Sequence, residues 1–387
     1  MHILVLTRST LAHGFGGFQR QCMDLCEGFV KHGHKVTVIT TPHPEGEKVE
    51  TQSGFTVHYL TQSRPKKLSG AWFKESRNLV DEIHQNTPID VIHSNEFAGY
   101  GILSWAKRNN VPFAVVCHGS LRTELMSFLS SADKRPRYWH WLFLTPAFLL
   151  KRCLMWEMPM RRKASSIILV SPTLERDFRV FSKGKVKVIE NGIKLPERQE
   201  YASQGDKLRL LCTGRADSQK GFQQAIKATS KIDDLDLHLD IVGTGPYLEE
   251  LKHLADKLDL HDKVTFHGRV DDDELSRLYS SADIYLIPTL RHEGLPLALL
   301  EAMAHGLPTI SSYIGGNMDV ITHEKDGLFI APGSLDELVA AIRRLGADED
   351  ERTTISKAAR ETAERRFDRD RMVLETMETL ASISEQS

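Results

Sequence analysis

Two consecutive runs decide the fold: Ile284-Tyr285-Leu286-Ile287-Pro288, then Arg291-His292-Glu293-Gly294-Leu295-Pro296-Leu297-Ala298-Leu299-Leu300-Glu301-Ala302-Met303-Ala304-His305-Gly306. The first is a short apolar run of strand length, and a brief glycine-bearing loop separates it from a helix. Leu297, Leu300 and Ala304 share one helical face, Pro296 suits the first turn and Gly306 suits a left-handed stop. A strand that feeds a helix through a short loop leaves unpaired helix-start N–H groups in a strand-end crevice. Such a place binds phosphate without a metal. Glu293 and Glu301 flank it. Carboxylates repel a diphosphate, so they are better used accepting hydrogen bonds from sugar hydroxyls. On local chemistry alone an ordinary strand-to-helix unit with two solvated glutamates explains the run as well, and the rest of the chain decides between the two.

At 387 residues the chain exceeds one ordinary core, so two domains are expected. Hydrophobic residues make up 41% and the mean hydropathy is -0.31, as in water-soluble globular proteins. A net charge of -2 argues against nucleic acid as a partner. The five cysteines, Cys22, Cys26, Cys117, Cys153 and Cys212, form no CxxC pair, which fits a reducing compartment. The first residues read as a strand rather than a signal peptide, and no apolar run is long enough to span a bilayer. A cytoplasmic location is expected.

In chain order, the strand Ile3–Leu6 leads into a loop containing Gly14, Gly16 and Gly17, then a helix from Phe18 to His32 and the strand Lys35–Thr40. The loop lacks the GxGxxG spacing, so backbone contact with a phosphate or sugar is a better reading than a dinucleotide fingerprint. Further strands are expected at Phe55–Leu60, Asp90–His93, Phe113–Cys117, Ile167–Val170 and Val186–Ile189, with helices between several of them. Strands alternating with helices give a parallel, doubly wound sheet whose ligands sit at the carboxyl ends of strands. His118 follows one of those ends. Residues 121–163 differ in composition: three of the five tryptophans stand there among Arg135, Arg137, Lys151, Arg152, Arg161, Arg162 and Lys163. Such a mixture suits an anionic membrane surface through 135–163, or equally helices packed on the first sheet.

A polar, irregular stretch, 191–206, reads as a linker between an N-terminal domain (1–190) and a C-terminal one (207–365), with residues 366–387 forming a helix that returns to the first domain. The second alternation places strands at Leu208–Gly214, Leu237–Val242, Val264–His267, Ile284–Ile287, Pro308–Ser311 and Gly327–Ile330. Its first turn, Gly214-Arg215-Ala216-Asp217-Ser218-Gln219-Lys220-Gly221, resembles a phosphate cradle with two cations but has no Walker A spacing. Gly243 opens a similar turn, and Phe266-His267-Gly268-Arg269 offers backbone to a nucleobase. Asp271-Asp272-Asp273 reads as a helix cap, and no metal-ligand cluster stands out among the 17 histidines.

These elements, with Gly315-Gly316-Asn317 and Gly327-Leu328-Phe329 in the same order, resemble the retaining glycosyltransferases of family four. More loosely, the N-terminal half agrees through Gly16-Gly17, Cys117-His118-Gly119 and Glu190-Asn191-Gly192. The resemblance implies an α/β fold of two Rossmann-like doubly wound domains facing across a cleft, the architecture called GT-B. It implies that Arg215 and Lys220 bind the donor diphosphate, Glu293 contacts the donor sugar and Glu301 the ribose, and His118 lines the reacting face. Gly16, Gly17, Gly243, His267, Arg269, Gly294, Leu295, Pro296 and Leu297 become donor-binding positions. The chain departs from the pattern at Lys194, Asp319 and Arg369. The implied reaction is retaining, metal-independent transfer from a nucleotide-diphosphate sugar, with UDP as its carrier, to a hydroxyl of a sugar, lipid-linked or glycoconjugate acceptor. The nucleotide sugar is a co-substrate, and no cofactor is expected. A nucleotide-sugar epimerase and a non-catalytic binding module stay open as alternatives.

Overall fold

The computed structural model describes residues 1–14, 16–132, 157–179, 182, 185–198 and 207–386. They form two compact α/β units. One takes Met1–Leu125, the described part of 136–192, and Arg369 onward; the other takes Ile193–Asp368 with residues 126–132. The aromatic and basic residues expected at a membrane or core between 133 and 156 lie outside the described residues.

The first unit is built on eight strands: β1 (His2–Leu6), β2 (Lys35–Thr40), β3 (Val49–Gln52), β4 (Phe55–Tyr59), β5 (Val91–Asn95), β6 (Phe113–Cys117), β7 (Ser166–Leu169) and β8 (Val186–Val188). Their order is β3-β4-β2-β1-β5-β6-β7-β8, and every neighbouring pair is parallel except β3–β4. Parallel strands covered on both faces need continuous apolar runs, and β1 and β5 are buried along their whole length. Strand β3 is the one the sequence did not announce. It is an exposed edge with no apolar run, held to β4 by the Ser53-Gly54 turn, where φ is 47° and 84°. The helix Arg369–Glu385 packs on the helix Gly17–Lys31. Arg369, a departure from the family pattern, lies 3.8 Å from Asp24 and 3.9 Å from Glu27, so charge ties this end of the helix down.

The second unit has six parallel strands, β9 (Leu208–Thr213), β10 (Leu237–Val242), β11 (Val264–Gly268), β12 (Ile284–Ile287), β13 (Thr309–Ser312) and β14 (Leu328–Ile330), in the order β11-β10-β9-β12-β13-β14. Leu210, Cys212, Leu239, Ile241 and Leu286 pack with Phe222, Ile226, Leu338 and Ile342 from the helices. The chain steps outward from β9 to β11, then returns to place β12 on the other side of β9. Loops leaving β9 and β12 therefore turn to opposite faces, and a crevice opens between them at the carboxyl edge. The first unit reverses in the same way between β1 and β5.

The decisive helix runs Leu297–Ala304. Pro296 is its N-cap rather than a first-turn residue, and Gly306 takes the left-handed φ of 71° expected of the stop. Asp271 caps the helix Asp272–Ser281 by accepting from Glu274 N–H at 2.8 Å, as its triplet of aspartates implied. At the far end of the decisive helix, the buried Arg360 donates to the Ala304 carbonyl, to Pro196 O at 2.9 Å and to Glu364 at 2.7 Å. A cation on helix carbonyls satisfies acceptors that the helix itself leaves open. Arg360→Met strands the buried Ala304 carbonyl and the half-buried Pro196 carbonyl, and is expected to lower unfolding free energy by roughly 2–4 kcal/mol. Urea unfolding of the full chain measures it, and a change under half a kilocalorie would contradict the account.

Candidate active site

In the second unit the crevice gathers the two loops singled out from the sequence. Lys220 Nζ sits 2.7 and 2.9 Å from the two carboxylate oxygens of Glu293. Both side chains are largely enclosed, 20% and 16% exposed, so the pair is screened less than a surface bridge. Two close backbone approaches fix it. Gly221, at φ 78°, lies where a Cβ would come within 1.8 Å of Pro288 O, which seats the Lys220 turn on the end of β12. Gly316 meets Gly294 so tightly that a Cβ would stand 1.4 Å from its carbonyl oxygen, and Gly316 N–H donates to Glu293 O at 2.9 Å. No side chain fits at either point.

The helix start completes the group. Leu297 and Ala298 open the helix with N–H groups that have no intrahelical acceptor, and Pro296 offers no side-chain cap. Leu295, Pro296 and Leu297 are buried, with Gly294 half-buried beside Glu293. Arg215 is exposed and enters no ion pair among the described residues. Glu301 is set one turn into the helix, where the Tyr279 hydroxyl lies 3.1 Å from its carboxylate and 2.8 Å from Thr213 Oγ1. Burial, helped by the Glu301 charge, pushes the Tyr279 phenol well up, so it stays protonated and able to donate. His305 stacks on Tyr279 at 4.9 Å and bonds the Glu301 carbonyl at 2.8 Å. Tyr279, Thr213 and His305 had no sequence signal as support for Glu301, because they come together only through packing.

Three expected positions stand at the ends of β10 and β11. Gly243 N–H donates to Gly268 O at 2.7 Å. The His267 ring is 2.7 Å from the buried Asp240 carboxylate, which leaves its backbone as the part on offer. Arg269 is exposed after β11.

The first unit holds the other expected group. Gly16 is the N-cap of the helix that begins at Gly17, and both are exposed. Phe18, one residue on, meets the His118 ring edge-on at 5.0 Å, with the Arg8 guanidinium 5.0 Å from the Phe18 ring. His118 Nε2 and both ring nitrogens of His93, fully buried on β5, carry no hydrogen bond among the described residues. Burial lowers both imidazoles to about 4, with Arg8 acting on His118 and His118 on His93. The sequence reading missed Arg8 and His93. Within the stretch read as membrane surface or packed helix, Arg161 is buried, bound to Glu157 and lying 3.8 Å over the Phe178 ring, as the packed-helix alternative has it. Arg162 and Lys163 are exposed. No helix among the described residues is long and apolar enough to cross a membrane, and no cluster of metal-binding side chains occurs among them.

Two doubly wound units, each with a crevice where its strand order reverses, make the GT-B type of fold. The comparisons agree. Residues 15–196 match the model described as Glycosyltransferase Family 4, and residues 194–362 match Glycosyl transferases group 1. An uncharacterized glycosyltransferase of Methanocaldococcus jannaschii is 28% identical over 94% of this chain and 93% of its own. Sucrose-phosphate synthase from Thermosynechococcus elongatus shares the fold with a TM-score of 0.81, at 22% identity and full coverage of both chains. HepE from Anabaena in complex with UDP-glucose gives 0.74 at 21% identity, covering 99% of this chain and all of that one. The chain belongs to glycosyltransferase family four.

The two buried histidines make a testable demand. Unfolded, each takes up its proton near 6.5; folded, each resists until about 4. The unfolded state therefore binds more protons across that window, and stability is full above it and falls as pH drops through it. The urea-unfolding gap between wild type and His93→Gln is expected to narrow by roughly 2 kcal/mol from pH 7 to pH 5. A gap independent of pH would show that His93 takes up its proton as readily folded as unfolded.

Proposed function

We propose that the protein is a retaining, metal-independent transferase that moves a sugar from a UDP-sugar to an acceptor hydroxyl in the synthesis of a lipid-linked or cell-surface glycoconjugate. The observation that carries this reading is the Lys220–Glu293 pair beside the Leu297 helix start, at the point where the strand order reverses. Breaking the anomeric C–O bond builds negative charge on the departing diphosphate and positive charge on the sugar ring. Lys220, the exposed Arg215 and the Leu297 and Ala298 amides are suited to the first. They stand in place before the reaction, so no dipoles need to reorganise as charge develops. Glu293, at the same loop, is suited to accept from sugar hydroxyls, and Glu301, oriented by Tyr279, from the ribose. Within the first unit, the neutral His118 and the amides after Gly17 are groups suited to hydrogen-bond sugar oxygens. The UDP assignment is supported by the UDP-glucose bound in the Anabaena relative.

Purified protein is expected to gain thermal stability with one UDP-sugar and less with the GDP- and ADP-sugars, since a ligand that binds only the native state raises its melting temperature. With that donor and an acceptor, it should release UDP in a buffer containing EDTA. The product should keep the donor's anomeric configuration by NMR. Lys220→Met is expected to slow transfer by roughly a hundredfold. Unchanged turnover in that variant, or loss of activity in EDTA, would overturn the corresponding part of the proposal. A changed sugar still attached to nucleotide, formed without acceptor, would indicate an epimerase instead.

A further inference from the structure

Thr289 stands two residues past β12 and is fully buried, yet it carries a hydroxyl where a valine would have the same shape. A buried hydroxyl is costly unless it is bonded. This one is used twice: it donates to Gln219 O at 3.1 Å and accepts from Arg291 N–H at 3.1 Å. The branch at Cβ leaves few side-chain rotamers, so few directions are open to the hydroxyl. Gln219 O accepts a second time, from Leu290 N–H at 2.8 Å.

The bonds fall on either side of the reactive pair. Gln219 precedes Lys220, and Gly221, which follows it, sits against Pro288 O. The Lys220 turn is thus held on both sides of the lysine by residues that leave β12. Arg291 stands two residues before Glu293 in the other loop. One hydroxyl therefore joins the two loops whose side chains meet in the Lys220–Glu293 pair. The loops do not depend on it equally. Without the hydroxyl, Gln219 O keeps the Leu290 amide and Gly221 keeps its seat, so Lys220 stays in place. Arg291 N–H loses its acceptor, and the loop that carries Glu293 is released.

We propose that Thr289 is a positioning residue for sugar transfer: its hydroxyl holds Glu293 where the reaction needs it, and so governs turnover rather than the grip on the diphosphate. The assignment rests on the transferase reading above and adds to it a residue that acts through Glu293. Two variants isolate the hydroxyl: Thr289→Val removes it and keeps the shape, and Thr289→Ser keeps it. With the UDP-sugar that the wild type turns over, Thr289→Val should lower kcat roughly tenfold, since small misplacements of a reacting group are costly. Calorimetry should show that variant binding UDP no more weakly than the wild type. Thr289→Ser should restore most of the lost rate. In a Glu293→Gln background, Thr289→Val should cost nothing further, because both changes act on one group. Unchanged kcat in Thr289→Val, a parallel loss of UDP affinity, no recovery in Thr289→Ser, or additive losses in the double variant would each overturn the proposal. Hydrogen exchange of the amides at 290–293, measured without ligand, tests the clamp apart from the reaction. Exchange there should be faster in Thr289→Val and not in Thr289→Ser, and equal exchange in all three proteins would overturn the clamp whatever the activity. If exchange responds as expected but the wild type turns over no nucleotide sugar, the transferase reading falls and takes the positioning role with it, while the clamp stands.

Discussion

The second unit depends on one topological constraint, the reversal of strand order between β9 and β12. Because β12 returns beside β9, two loops far apart in sequence leave the sheet edge as neighbours. One brings Lys220 and the other Glu293, and the resulting 2.7 Å contact is a product of that return rather than of local sequence. Gly221 and Gly316 then lock the loops to the backbone of β12's end and to each other's neighbours, at distances no side chain would tolerate. The glycines of these turns thus build the crevice by letting loops touch. The Gly243 amide likewise ties its turn to the next strand by bonding the Gly268 carbonyl.

Lys220 and Glu293 balance each other's charge in this crevice. On the proposed reading Lys220 is the cation that meets the diphosphate, and it already has a carboxylate. On the proposed reading the donor exchanges partners: phosphate oxygens take Lys220, and Glu293 is left to accept from the sugar. The pair would then hold two opposite charges ready in a partly desolvated site at little cost, since neither is left unpaired before binding. Glu301 is held differently. Its partner is a neutral phenol kept protonated by burial, so its charge stays available to accept hydrogen bonds.

Much of this was legible in the chain. Parallel strands buried on both faces must be continuous apolar runs, and that is why β2, β6, β10 and β12 fall on the residues the runs marked. The helix at 297 was equally plain, with its boundary shifted by one residue because Pro296 caps it and does not begin it. The exposed edge β3 was not legible, since its hydrogen bonds come from a turn rather than from a hydrophobic pattern. Among site residues, Lys220 and Glu293 were found through their glycine-flanked turns. Tyr279, His93 and Arg8 were missed, because each matters through what folding packs against it: a carboxylate, a second imidazole, an aromatic ring. Arg161 was left open in the sequence for the same reason: a basic residue in an aromatic stretch fits a surface or a packed helix equally, and only packing reveals it as enclosed.

The exchange of partners at Lys220 is the claim on which the functional account turns, and calorimetric titration of UDP into the wild type and Glu293→Gln measures it most directly. UDP carries the diphosphate and ribose but not the sugar to be transferred, so it competes for Lys220 without needing Glu293. The account predicts that Glu293→Gln binds UDP more tightly, by about fivefold if the half-enclosed pair is worth about 1 kcal/mol. Equal or weaker binding would contradict it, because Glu293 would then not be the group that UDP displaces.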